Sequence, residues 1–231
     1  MHHPEMDGIL RDLVSKIHQT LGENLVGIYL YGSLTAEDFD VESSDIDLMV
    51  ATKLTVSGAE FLRLREMHTA FAKEHIAWDD RVDAVYLPAS GLQTILSRNT
   101  PAAYISPGEP LHMLDVGKDW LMDWYNVRRT GIALVGPPAT TVVEPISSHE
   151  FIQAARAYTI AWSERVHHAH NRKSQAFAVL TLCRCLYVHV HGEQTSKHQA
   201  ALWAQTQLPE WSSLIEDALN WRATWRTQRP P

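Results

Sequence analysis

Along the first part of the chain the spacing of apolar residues switches between two periods. In "MDGILRDLVSKIHQTLG", Ile9, Leu10, Leu13, Ile17 and Leu21 recur at helical intervals, and Gly22 is a natural stop. "LVGIYLYG" then gathers β-branched and aromatic residues into a short run closed by Gly32, which predicts a strand. "DIDLMVA" predicts a second strand. "SGAEFLRLREMHTAFAKEH" returns to helical spacing, with Ser57 placed as its N-cap. "RVDAVYLP" predicts a third strand that ends at Pro88. A segment rich in proline and glycine follows through Pro110. "VGKDWLMDWYNVRRTG" reads as a helix and "IALVGPP" as a short strand halted by its prolines.

The pattern changes at "PPATTVVEPISS", which reads as a linker. Beyond it only helical spacing remains, in "SSHEFIQAARAYTIAWSERVHHAH", "KSQAFAVLTLCRCLYVHVHG", "SKHQAALWAQTQL" and "PEWSSLIEDALNWRATWR", the last with Pro209 at its start. Four helices with short connections make a small bundle. The expected fold is therefore α+β, a mixed sheet with helices over residues 1–140, followed by an all-α helical bundle over 141–231.

Composition sharpens this outline. A chain of 231 residues is long enough to bury a real core. No run is apolar enough to span a membrane, and "MHHPEMDGIL" lacks a basic region followed by an apolar one, so a cytoplasmic protein is expected. Cys183 and Cys185, two apart on a helix, point to nearly opposite sides. They read as small core residues in a reducing compartment, with no shared metal. The net charge of −7 speaks against a generic nucleic-acid binder. Its distribution is uneven: residues 1–145 hold 11 Lys/Arg against 21 Asp/Glu, and residues 146–231 hold 9 against 6. An acidic part suited to cations and a basic part suited to phosphates is one reading of that split.

The acids carry the chemistry. On a strand Asp45 and Asp47 aim to one side, while Ile46 and Leu48 face the other. Two adjacent carboxylates repel unless a cation bridges them, and an all-oxygen, incomplete cage favours Mg2+. Asp83, set between Val82 and Ala84 on the next strand, is a third acid in an apolar run. Asp79 and Asp80 fit a solvated turn before that strand better. Gly32 lets the backbone approach a phosphate, and Ser33 adds a hydroxyl beside its amide. Three carboxylates and a small phosphate-binding turn point to metal-assisted phosphoryl or nucleotidyl transfer.

This order of apolar strand, Gly-Ser, Asp-x-Asp and a later strand acid resembles the nucleotidyltransferase superfamily that includes DNA polymerase β. "IALVGPP", "VLTLCR" and "HGEQTSKHQAALWA" are similar to segments of the aminoglycoside adenylyltransferases that modify streptomycin and spectinomycin. The resemblance implies that Asp45 and Asp47 hold Mg2+, with Asp83 as third ligand or as base. It implies that Ser33 holds the terminal phosphates of ATP, and that Arg184 and Lys197 reach the triphosphate from the bundle. Lys173 and Arg184, eleven residues apart, share one helix face. Two departures stand out: those enzymes carry Glu where this chain has Asp83, and acids where it reads "NRKSQAF".

The remaining candidates are weaker. His167, His168 and His170 lack an acidic or cysteine partner and read as surface residues. Trp203, Trp211, Trp221 and Trp225 read as bundle packing. Trp120 and Trp124, with Asp123 close by, could stack on a base or sugar, and Glu109, Asp115 and Asp119 could line an acceptor site. The expected function is Mg2+-dependent transfer of a nucleoside monophosphate, AMP from ATP, to a hydroxyl of a small molecule, an aminoglycoside among the candidates, with release of pyrophosphate. A protein or RNA acceptor, or a non-catalytic nucleotide-binding or antitoxin-like module of the same fold, are the alternatives. The acidic surface and the lack of interleaved aromatic and basic residues disfavour RNA.

Overall fold

The structure, a computed structural model, describes residues 4–35 and 44–224. The chain divides after Pro145 into two compact units. The first is built on a six-stranded mixed sheet and the second on four long helices.

The first unit begins with helix α1 (Pro4–Leu21), whose Leu13, Ile17 and Leu21 are buried. Strand β1 (Leu25–Tyr31) follows, then β2 (Ile46–Thr52), α2 (Gly58–Glu74) and β3 (Val82–Pro88). The N-cap of α2 is Ser57, which accepts from the Glu60 amide while Glu60 reaches back to the Ser57 amide. Because α2 carries the chain back across the sheet, β3 runs parallel to β2. Buried His68 of α2 meets the Tyr86 hydroxyl of β3 at 2.7 Å, fixing the helix to the Ala84–Tyr86 face. At the ends of α1 and α2, His75 lies 2.7 Å from Asp12 and Lys16 lies 2.9 Å from Glu74.

The segment expected to be irregular through Pro110 contains a short helix, α3 (Ala89–Leu92), and a hairpin of β4 (Thr100–Ser106) and β5 (Glu109–Val116). Its turn places Pro107 and Gly108 at the corner, with Gly108 at φ +88°. A flanking "PG" between two short runs is a hairpin signal, masked here by Pro101 and by the mostly exposed pattern of β5. Helix α4 (Leu121–Thr130) is shorter than the spacing predicts, since Val116 belongs to β5 and residues 118–120 form a 3-10 turn. Strand β6 (Ile132–Val135) closes the sheet in the order β5-β4-β3-β2-β1-β6, antiparallel except at β2–β3.

The expected linker is folded. It forms α5 (Ala139–Val142), and its carbonyls at Thr140 and Val143 accept from Arg128, those at Thr141 and Val142 from Gln93. Glu144 donates its amide to Leu92 and accepts from the Leu96 amide.

The second unit holds α6 (Ser148–Arg165), α7 (Arg172–His191), α8 (Lys197–Gln207) and α9 (Ser212–Thr224). Ser147 and Glu150 form a capping box on α6, Asn171 caps α7, and Gly192 ends α7 at φ +70°. Its core sets Leu180, Cys183 and Ile215 against Ala176, Ala200, Ala201, Ala204 and Ala218, small residues that let α7, α8 and α9 approach closely. Both cysteines are buried and unbridged, and burial pushes the Cys183 thiol up to about 11. Trp203 and Trp221 pack on this core; Trp211 is exposed, a correction to its expected packing role, because it sits in the 3-10 turn ahead of α9. Trp225 lies outside the described residues. None of the described helices is long and apolar enough to cross a membrane.

Candidate active site

Strand register assembles the site. In the β2–β3 ladder Asp47 stands directly beside Asp83, and in the β1–β2 ladder Tyr31 stands beside Asp47. In the β3–β4 ladder Tyr104 pairs with Val85, which shares a face with Asp83, and in the β4–β5 ladder His112 pairs with Tyr104. One face thus carries Tyr31, Asp47 and Asp83 side by side, with Tyr104 and His112 two residues further along, level with Val85. The alternate residues Ile46, Leu48 and Ala84 are fully buried on the opposite face, as the period of two requires. Asp45 lies just ahead of β2, partly buried.

At the end of β1 the chain turns sharply at Gly32 and Ser33 in a 3-10 turn. Gly32 has φ +72°, and a Cβ there would collide with the Asp47 carboxylate, 2.6 Å from its Cγ. The glycine therefore does two things: it permits the left-handed turn and lets the backbone press against Asp47. Ser33 is partly buried beside it.

Electrostatics marks the same place. Burial first, then the charge of Asp47, raise the Asp83 carboxyl well above the usual carboxylate range, with Asp123 and Asp45 adding to the rise. The Tyr104 hydroxyl donates to Asp83 Oδ2 at 3.0 Å and pulls the other way. Tyr31 is likewise raised by burial and then by Asp83, Asp123 and Asp47. Asp123 on α4 thus belongs to the acidic group. Trp120 meets Tyr104 edge-on at 4.9 Å and stacks on Trp124 at 5.6 Å. Trp124 is fully buried, so of the two tryptophans only Trp120 has surface to offer a ligand. Glu109, Asp115 and Asp119 are exposed. Asp80 lies in the turn before β3, at φ +58°, and its carboxylate accepts from the Gly108 amide.

The donor set of Asp45, Asp47 and Asp83 is all oxygen, and burial and then the charge of Asp47 raise the Asp83 carboxyl; both features fit a hard divalent cation such as Mg2+. Among the described residues, the three-residue set whose ligand atoms all lie within 4.8 Å of one another is Asp12, Glu74 and His75. Lys16 already supplies the cation there, 2.9 Å from Glu74 and 3.7 Å from Asp12, so that set is an ion-pair network tying α1 to α2.

Arg184 and Lys197 belong to the second unit. Arg184 lies on α7 with its Nε buried, and Lys197 opens α8 with its ammonium 4.6 Å from the Phe177 ring centroid. Lys173 is exposed near the start of α7. His167 and His168 sit in a 3-10 turn after α6 and are exposed, as is His170. Tyr104 and Tyr31 are the residues that the sequence reading did not single out. Tyr104 becomes visible only once the β4–β5 hairpin is recognised.

Comparison with known proteins places this arrangement. The chain is similar to aminoglycoside adenylyltransferases, in its C-terminal part and along most of its length. Residues 141–229 match the family "aminoglycoside adenylyltransferase, C-terminal domain". Relatives named aminoglycoside (3'')(9) adenylyltransferase from Shigella flexneri and Escherichia coli are each 27% identical over 226 residues, covering 89% of this chain and 80% of theirs. One from Klebsiella pneumoniae is 28% identical over 221 residues, covering 87% and 78%. The fold is shared with the crystal structure of spectinomycin adenyltransferase AAD(9) from Enterococcus faecialis with ATP and spectinomycin. The match has a TM-score of 0.72 at 17% identity and covers 96% of this chain and 90% of that one.

Proposed function

We propose that this protein transfers AMP from ATP to a hydroxyl of an aminoglycoside-class acceptor, releasing pyrophosphate, as a cytoplasmic drug-modifying enzyme. The observation that carries the reading is the register pairing of Asp47 with Asp83 beside the Gly32-Ser33 turn. The named activity of the relatives supports adenylyl transfer and an aminoglycoside acceptor. Asp45, Asp47 and Asp83 are the residues that would hold Mg2+. When bound, the cation would neutralise phosphate charge and favour departure of pyrophosphate.

The chain's own residues account for the rest. The Ser33 hydroxyl and the backbone of the Gly32 turn offer donors to the terminal phosphates. Asp83 either completes the metal set or accepts the proton of the attacking hydroxyl. Arg184 and Lys197 are assigned to the triphosphate by likeness of the bundle to the family's C-terminal domain. Asp123 adds negative charge that favours a cationic acceptor.

The test is pyrophosphate release with ATP and Mg2+ across an aminoglycoside panel that includes streptomycin and spectinomycin. Release that depends on one drug, and falls roughly 1000-fold in Asp47→Asn, is the expected result. Equal release from the variant would sink the assignment. One observation favours a second acceptor class: Arg172 and Lys173 are exposed at the start of α7, where the resembling enzymes carry acids. Release with a neutral or anionic hydroxyl compound, and with none of the drugs, would select it.

A further inference from the structure

Asp83 is one methylene shorter than the glutamate of the enzymes it resembles. A short acid at a reacting centre must be aimed by something else. Three observations show what aims it. The β3–β4 register puts Tyr104 on the face of Asp83, and its hydroxyl donates to Oδ2 at 3.0 Å. Among the described residues the other carboxylate oxygen, Oδ1, accepts no hydrogen bond. The Tyr104 ring itself packs edge-on against Trp120 at 4.9 Å and against His112 at 5.7 Å, and Trp120 in turn stacks on fully buried Trp124.

We propose that Tyr104 is a positioning residue for Asp83: it ties down Oδ2 and leaves Oδ1 directed at the reacting groups. The phenol fixes the rotamer of the shorter acid and so sets which way its other oxygen faces. Trp120 serves as the brace for that phenol, which gives it a role distinct from stacking on substrate. The inference rests on the reading of Asp83 as part of the transfer site.

The experiment compares Tyr104→Phe with wild type and with Asp83→Asn, using ATP, Mg2+ and streptomycin or spectinomycin. It is joined by crystal structures of the wild type and Tyr104→Phe, which need no acceptor. Tyr104→Phe keeps the ring and its packing, so its melting temperature should stay within about 2 °C of wild type. Its kcat should fall about tenfold or more while KM for ATP and acceptor stay within about twofold, and Asp83 should occupy more than one rotamer. Unchanged kcat, a loss carried by KM, or an Asp83 rotamer identical to wild type overturns the proposal. If neither drug supports turnover, the rotamers decide. Full activity in Asp83→Asn would instead overturn the transfer reading beneath it, so the two failures are distinguishable. Trp120→Leu, which removes the brace and leaves the hydroxyl, should lower kcat by a smaller factor of about three.

Discussion

In the sheet unit Asp47 and Asp83 are neighbours because two strands share a register, although 35 residues separate them in the chain. In the helical unit Arg184 and Lys197 sit on helices whose spacing is set by alanines, Arg184 with its Nε buried and Lys197 over the Phe177 ring. The difference is instructive. A ladder fixes which side chains meet, since the backbone hydrogen bonds that define it leave no intermediate positions. A helical core fixes distance between axes, and the polar groups around it keep the freedom of long side chains. Groups that must be held to fractions of an ångström suit a ladder; groups that need only reach a partner suit a bundle.

Substitutions in the two units should therefore fail differently. Among substitutions that leave every acid in place, the largest effect is expected from Gly32→Ala. The new Cβ would meet the Asp47 carboxylate and sit at φ +72°, so kcat/KM should drop about 100-fold or more for a displacement near 1 Å. Fold stability should change far less, by about 1–2 kcal/mol, as the left-handed conformation costs that much. Steady-state kinetics beside thermal melting checks this; parallel losses of activity and stability would blur the contrast. Leu180→Ala in the bundle should show the reverse. Leu180 is fully buried among α7–α9, so removal should cost about 3 kcal/mol of stability. At a temperature where the variant is folded, kcat should remain near wild type. A large kcat loss there would show that the bundle holds reacting groups as tightly as the sheet does.

A smaller effect concerns pH. Burial lowers the His68 imidazole to about 4, against about 6.5 in an unfolded chain. Its folded pKa is depressed, so the unfolded state takes up the proton first as pH falls. The stabilising contribution is complete above pH 6.5 and is lost progressively toward pH 4, amounting to roughly 2 kcal/mol by pH 5. His68→Gln, which keeps a polar group beside Tyr86, should flatten this acid limb in urea unfolding measured at pH 7 and pH 5. An equally steep limb in the variant would place the acid sensitivity elsewhere.

Much of this architecture was legible beforehand. "LVGIYLYG", "DIDLMVA" and "RVDAVYLP" announced their strands because central strands are dense in β-branched and aromatic residues. Ser57 announced the start of α2 through capping chemistry that acts within four residues. The β4–β5 hairpin was hidden for the opposite reason: it lies at the sheet edge, where half-exposed strands tolerate Pro101, Glu109 and Pro110. With the hairpin unseen, Tyr104 had no strand to place it beside Asp83. The folded linker was hidden because its order comes from distant partners, Arg128, Gln93 and Leu92, that no local pattern reveals.

The parallel pairing of β2 with β3 has a further consequence for how this chain can vary. Between those strands lies α2, and changes of length in its flanking loops leave the pairing free to re-form in the same register. A deletion of one residue within β3 itself would not move Asp83 by a small increment. It would turn the acid through half a revolution, toward His68 and the apolar layer. The centre is therefore discrete rather than graded: heritable change reaches it as presence or absence, while gradual drift is confined to the crossover and the helices around it.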